Sequence, residues 1–379
     1  MSAIYLDYAA TTPTDPIVVK EMEPFYFELF GNASSPHSFG QRARKAIEDC
    51  RATLASFIGA KPSEIIFTSS ASESNNQAVL STALSLISKG RHVIISALEH
   101  HSVLESANRL GRLGYQVSFA KPKEDGIIDP DQVFQLIRED TVLIAVHHAN
   151  NEIGTIQPVA EIGAMARQKA ISFLVDAAQT LGHIPVNVRD LPCDFLSLSA
   201  HKFYGPQGVG ALYVRDGIKI EPRIHGGDQE GGRRAGTHNL AGIVGLGKAL
   251  EICRNNMERE AGEQATLRDL IIDDVLANIS GAKFNGDRSQ RLPNNVHFSF
   301  ENVNGEELVT SLDMAGIAVS VGSACTSGVL EPSHVLKAIG LTDAMALGSL
   351  RISLGRWTTR QEVDLFLQQL KLKIEKIRR

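Results

Sequence analysis

The sequence predicts an α/β protein: a large domain on a mostly parallel seven-stranded sheet, followed by a smaller α+β C-terminal domain. Three observations carry this. Seven apolar strand patterns, at residues 64–68, 92–97, 116–120, 142–147, 173–176, 194–199 and 210–214, alternate with helical stretches such as 42–58, the rhythm of strands joined by helical crossovers. After about Leu250 the pattern changes to long helices with few strands. The length of 379 residues exceeds what one small core organises, which points to two domains. In a sheet of this kind the ligand lies beyond the strand ends.

Taken in order, residues 1–15 are expected to pack with the small domain, 16–255 to form the large domain and 256–379 the small one. Residues 42–58 place Ala43, Ile47, Cys50, Leu54 and Phe57 on one helical stripe, which reads Cys50 as core packing. The strand at 64–68 turns through Ser69-Ser70-Ala71-Ser72 into a helix expected near Glu73. The strand at 173–176 ends in Asp176, and that at 194–199 runs through Ala200-His201-Lys202 and stops at Phe203-Tyr204-Gly205-Pro206. The stretch from Gly205 to Gly210 lacks nucleotide-loop spacing, so it reads as a turn into the strand at 210–214. In the second half, 295–300 reads as a strand, and Thr359-x-x-Glu362 as a capping box before a helix with apolar Val363, Phe366, Leu370 and Ile374. The basic tail Lys371, Lys373, Lys376, Arg378 and Arg379 reads as that helix's wet face. No internal repeat or low-complexity segment stands out.

The chemistry begins with Lys202. A lysine delivered by a strand end is held rigidly enough to form an imine with a carbonyl cofactor, which suggests pyridoxal phosphate. Asp176, an acid at a buried strand end, needs a cation, and a protonated pyridine nitrogen is one. The small residues at 69–72 let backbone N–H groups and a helix N-terminus face a phosphate, with Ser72 the best side-chain donor; the alternative for Ser72 is an ordinary N-cap. Cys325 sits in Gly322-Ser323-Ala324-Cys325-Thr326-Ser327-Gly328, whose small residues suit an accessible loop and a reactive thiol. Cys193 and Cys253 carry no motif and read as structural.

Four cysteines without Cys-x-x-Cys spacing argue against a zinc site or disulfide framework and favour a reducing compartment. With 38 basic and 43 acidic residues the net charge is −5, too mild to imply nucleic-acid or membrane binding. No leader or membrane-length apolar run is present, so a cytoplasmic protein is expected. His147 and His148 are adjacent on a predicted strand, where successive side chains face opposite ways, so they do not read as a metal pair.

Tyr5-Leu6-Asp7-Tyr8-Ala9-Ala10-Thr11-Thr12-Pro13, Gly31-Asn32-Ala33-Ser34-Ser35, residues 67–76, Glu99-His100, Asn150-Asn151-Glu152-Ile153-Gly154, residues 176–179 and 199–202, Gly236-Thr237 and Gly322-Ser323-Ala324-Cys325 together resemble the class V, fold-type-I pyridoxal phosphate enzymes. Within them the chain resembles the NifS/IscS-type cysteine desulfurases. The resemblance covers essentially the whole chain. It implies Lys202 as the imine-forming lysine and general base, Asp176 on the pyridinium nitrogen, Gln179 and Asn151 near the phenolic oxygen, and His100 over the ring as a proton carrier. The phosphate would be held by Ala71, Ser72, Ser199 and His201, with Thr237 reaching in from the second subunit of a homodimer. Arg351, with Asn32 and Asn151, would bind the carboxylate of L-cysteine. Cys325 would take the sulfur as a persulfide for an iron-sulfur scaffold or another acceptor, with no intrinsic metal and at most a transient cluster contact at Cys325.

The family's usual Gly-Ala-Thr at the phosphate turn is Ser70-Ala71-Ser72 here, so a positive φ at Ser70 would be strained. The chain also ends without the longer tail that many IscS-type members use toward their scaffold. Alternatives of other classes are a class V aminotransferase, which needs no thiol at Cys325, a selenocysteine lyase, and a non-catalytic sulfur-carrier platform. The long segment 323–331 resembles that of the group with extended loops, which favours cysteine over selenocysteine as substrate.

Overall fold

The computed structural model describes residues 3–322 and 331–379. Its strands are β1 Ile4–Tyr5, β2 Ile65–Thr68, β3 His92–Ser96, β4 Gln116–Ala120, β5 Thr141–His147, β6 Ser172–Asp176, β7 Phe195–Ser199, β8 Gly210–Val214, β9 Ala282–Phe284, β10 Asn295–Phe300, β11 Ile317–Ala318 and β12 Ser349–Ser353. Seven form one sheet in the order β2-β8-β7-β6-β5-β3-β4. Strand β8 runs antiparallel to both its neighbours and the other pairings are parallel, as the α/β rhythm predicts.

Strands β3, β5 and β7 are buried at every residue, the reason their sequences are near-continuously apolar rather than alternating. Side-chain alternation still decides which layer each residue joins. Ile65, Phe67 and Ile94 belong to one core with the helices Ser38–Ile58 and the first part of Leu240–Asn278. Their neighbours Ile66, Val93 and Ile95 join the opposite layer with the helices Ala71–Ser85 and His101–Arg112.

A separate core gathers Ile4 and Leu6, Ile271, Ile272 and Val275, Phe298, Phe300, Ile352 and Phe366 around the antiparallel sheet β12-β10-β9. The paired strands β1 and β11 flank it. The helix Leu240–Asn278 spans 39 residues and feeds both cores, Leu240 to Cys253 into the first and Ile271 to Val275 into the second. The expected boundary at 255 thus falls inside a helix, not in a linker. Val335, Leu336 and Ile339, from the C-terminal part of the chain, pack back on the first core.

Two helix starts differ from expectation. The first long helix begins at Ser38, four residues early, because the Nδ1 of His37 accepts from Gly40 N at 3.3 Å. The helix after β2 begins at Ala71, because Ser70 Oγ accepts from Glu73 N at 3.3 Å, so Ser70 and not Ser72 is the N-cap. Ser70 has φ −174°, extended backbone that any residue adopts, and the strain expected there is absent. Gly210 explains part of this fit: a Cβ on it would lie 2.5 Å from Leu198 O and 2.8 Å from Ser70 C, so only glycine lets β8 run between β7 and the turn. Thr359 and Glu362 form the predicted capping box, and Val363, Phe366, Leu370 and Ile374 are buried.

Candidate active site

Asp176 is the last residue of β6 and is 6% exposed. Its Oδ1 accepts from Ala178 N at 2.9 Å and its Oδ2 from Asn75 Nδ2 at 2.7 Å. Strand β7 is followed by the 3₁₀ turn Ala200–Lys202, which puts Lys202 one turn beyond the strand. Its Nζ donates to Ala9 O and Ala10 O, both at 2.7 Å. Burial and the nearby Arg351 guanidinium push the amine down to about 8, against the pull of Asp7 and Asp176.

The first turn of a helix has N–H groups without intrahelical partners, and here they belong to Ala71 and Ser72, which line the same cavity as Lys202. Glu73 ties the turn down: Ser69 N donates to its Oε2 at 2.7 Å and Arg234 Nε to its Oε1 at 2.8 Å. His100 caps the helix His101–Arg112, with Ser102 N donating to its Nδ1 at 3.1 Å. Burial lowers the proton affinity of His100. Burial and the adjacent Lys202 push His201 down to about 4, and its Nδ1 lies 3.0 Å from Thr11 Oγ1. Both imidazoles are therefore neutral at pH 7. Gln179 Nε2 donates to Ala9 O at 3.0 Å.

Arg351, on β12, is 4% exposed. Its Nη2 donates to Asp7 Oδ1 at 2.7 Å and its Nη1 to Asn151 O at 3.1 Å. These side chains share one cavity of roughly 490 Å³ lined also by Asn151 and Ser199, a volume suited to a small molecule. Asn32 and Thr237 do not line it; both are exposed, and Asn32 Oδ1 instead accepts from Ser34 N at 2.9 Å. Cys325 lies outside the described residues. Burial pushes the thiols of Cys50, Cys193 and Cys253 up to about 12, which leaves them unreactive.

Several lining residues escaped the sequence reading of roles. Asp7, Ala9 and Ala10 form part of the wall, and so do Glu152, His147 and His334. Burial raises the Glu152 carboxyl, which accepts from Ser333 Oγ at 2.5 Å. His147 and His148 do face opposite ways: His148 Nδ1 lies 3.1 Å from Thr180 Oγ1, whereas His147, which lines the cavity, has its Nδ1 3.2 Å from Glu99 Oε1. Alternation, which argued against a metal pair, is what delivers His147 to the site. Among the described residues no group of side chains could hold a metal ion, and no helix is long and apolar enough to cross a membrane. A second cavity, of about 480 Å³, is lined by Arg51, Arg233, Glu230 and His238. Arg51, Glu230 and His238 bond to one another at 2.6 to 2.9 Å, so it reads as structural.

The aminotransferase class-V family model matches residues 4–366. The chain belongs to that family. It is 51% identical to the cysteine desulfurase IscS of Dictyoglomus turgidum, over 99% of this chain and 95% of that protein. Among solved structures it is similar to a NifS-like protein, with a TM-score of 0.93 and 37% identity over 99% of this chain and 100% of that one. It is also similar to SspA in complex with cysteine, with a TM-score of 0.83 and 38% identity over 94% of this chain and 100% of that one. Within the family the chain thus groups with the NifS/IscS-type cysteine desulfurases.

Proposed function

We infer that this protein is a pyridoxal 5'-phosphate-dependent cysteine desulfurase that converts L-cysteine to L-alanine and passes the sulfur to Cys325. The observation that carries the reading is the convergence of the Lys202 amine, Asp176 and Arg351 on one cavity. The residues fit the cofactor: a desolvated lysine, a buried acid held by two N–H donors, and a helix start of small residues where a phosphate would rest. Bound there, the cofactor supplies an electron sink for the bond to hydrogen broken at the substrate Cα.

The chain's own residues do the rest. Arg351 holds the substrate carboxylate as a planar donor, and Asn151 supports it from the same wall. Lys202, which would hold the cofactor, is an amine of low proton affinity suited to take the Cα proton. His100, neutral at pH 7, holds or gives a proton at its imidazole. Asp176 stabilises a positive charge at the pyridine nitrogen. The Cys325 thiolate attacks the substrate sulfur; the electrons of the C–S bond return to carbon, L-alanine leaves, and a persulfide remains on Cys325. The further parts of the reading are a cytoplasmic homodimer in which the exposed Thr237 reaches the partner subunit's phosphate site, and an acceptor protein that collects the sulfur for iron-sulfur cluster assembly.

The test is L-cysteine turnover by purified holoenzyme with a thiol reductant, following alanine and sulfide together. Wild type is expected to release them in equal amounts, and Cys325→Ala to lose both while keeping the cofactor's visible absorbance. Full turnover by Cys325→Ala would sink the assignment, and turnover only with a keto-acid acceptor would select an aminotransferase.

A further inference from the structure

Arg351 meets the cavity already paired. A guanidinium 4% exposed requires a counter-charge, and Asp7 supplies it at 2.7 Å through Nη2. Nη1 is taken by the carbonyls of Asn151 at 3.1 Å and Gly322 at 3.5 Å. Nε is buried and has no partner among the described residues, so Asp7 is the only carboxylate among them that meets the guanidinium. Asp7 itself is anchored through its backbone. It bridges to Ser353, two residues from Arg351 on β12, and its carbonyl accepts from Tyr5 Oη at 3.1 Å.

In the holoenzyme Lys202 is committed to the cofactor, so among the described lining side chains Arg351 is the one Lys or Arg left to meet a carboxylate, and it already carries Asp7. Glu152, also in the wall, is shifted by burial toward its neutral form. One α-carboxylate with its ammonium adds no net charge. A second carboxylate on the side chain would add to the Asp7 charge, with no further Lys or Arg among the described lining residues to meet it.

We propose that Asp7 is a specificity-determining residue: its fixed carboxylate, paired with Arg351 through Nη2, lets the cavity accept a single α-carboxylate and disfavours amino acids with anionic side chains. The proposal rests on the reading of this cavity as an amino-acid site.

The test compares the dissociation constants of L-alanine and L-aspartate for the holoenzyme, read from the visible absorbance of the bound cofactor, in wild type and Asp7→Asn. A nearby like charge is worth one or more pKa units, each a factor of ten, so the ratio of L-aspartate to L-alanine affinity should rise about tenfold or more in Asp7→Asn. Loosening of Arg351 alone would weaken both ligands together and leave the ratio unmoved. If Asp7→Asn does not fold, Asp7→Ala, which leaves room for water or chloride beside Arg351, is read the same way. An unchanged ratio in the folded variant, with wild type binding L-alanine and turning over L-cysteine, overturns the role of Asp7 alone. Wild type that binds neither ligand and releases no sulfide overturns the functional reading and this inference with it.

Discussion

The Lys202 amine offers the sharpest test, because its proton affinity follows from where the chain puts it. Its ordinary value of 10.5 falls to about 8 through burial first and the Arg351 guanidinium second, with Asp7 and Asp176 opposing. At pH 7 an amine of 8 is neutral in about one molecule in ten, against roughly one in 3,000 at 10.5, a gain of about 300-fold in the reactive form. A less basic nucleophile is also weaker, and a dependence like that of thiols trims the gain to on the order of tenfold to thirtyfold. The assay adds pyridoxal phosphate to cofactor-free protein at a series of pH values and follows the visible absorbance, with N-acetyl-lysine amide as the reference amine. Dividing one profile by the other removes the titration of the cofactor itself. The ratio should be largest near neutrality and bend near pH 8, where Lys202 has lost its proton and the reference has not. A ratio that stays flat up to pH 10 would refute the desolvation argument, and reduction followed by peptide mapping to another lysine would refute the residue.

Two further outcomes are expected. Glu230, buried, is held by Arg51 and His238, and these bonds outweigh burial to bring its carboxyl down to about 2; since the folded value lies below the unfolded one, the stability it contributes is present above about pH 4.5 and is lost as pH falls toward 2. Glu230→Gln should cost about 3–5 kcal/mol by denaturant unfolding near neutrality and flatten the acid limb of the stability profile; an unchanged limb would show that the group does not titrate as argued. Arg356, which bonds Asp15 Oδ2 at 2.6 Å and Glu260 Oε1 at 2.7 Å and lies 4.1 Å from the Tyr204 ring centroid, should on replacement by Ala lower thermal stability and raise the KM for L-cysteine, although it does not line the cavity; unfolding and KM both unchanged would remove it from the frame that sets the site.

What the sequence made legible follows from local chemistry. Lys202 and Asp176 stood out because an acid or a lysine closing an apolar strand contradicts its surroundings, and that contradiction is visible within six residues. The turn at 69–72, whose Ser70, Ala71 and Ser72 line the cavity, was legible for the same reason, in the small residues between β2 and its helix. Arg351 had no such signal: the arginine sits in the middle of a buried strand, and only the family resemblance pointed to it. Ala9 and Ala10 contribute backbone oxygens to an amine 193 and 192 positions away, and a carbonyl oxygen has no residue type to betray it. His147 was visible, but its place in the cavity wall was not read, because ruling out a metal pair left unasked which of the two faces met the cavity.

The site is also a seam, and that bears on how it works. Lys202, Asp176 and the turn at 69–72 are fixed by the large sheet, whereas Arg351 and Asp7 are fixed by β12 and the segment beside it, next to the second core. The separation between Lys202 and Arg351 is therefore not set within either core. It is set by what crosses between them: Ser353 Oγ accepting from Ala9 N at 2.8 Å, Thr12 N donating to His201 O at 2.9 Å, and Arg356 pairing with Asp15 and Glu260. The segment from Asp7 to Asp15 threads all of these, bonded on one side to β12 and on the other to the turn that carries Lys202. A site placed this way can hold a small amino acid at both ends only if that segment is rigid. The two carbonyls that receive the Lys202 amine, the carboxylate that receives Arg351 and the buried ion pair at Asp15 supply that rigidity from a stretch of nine residues.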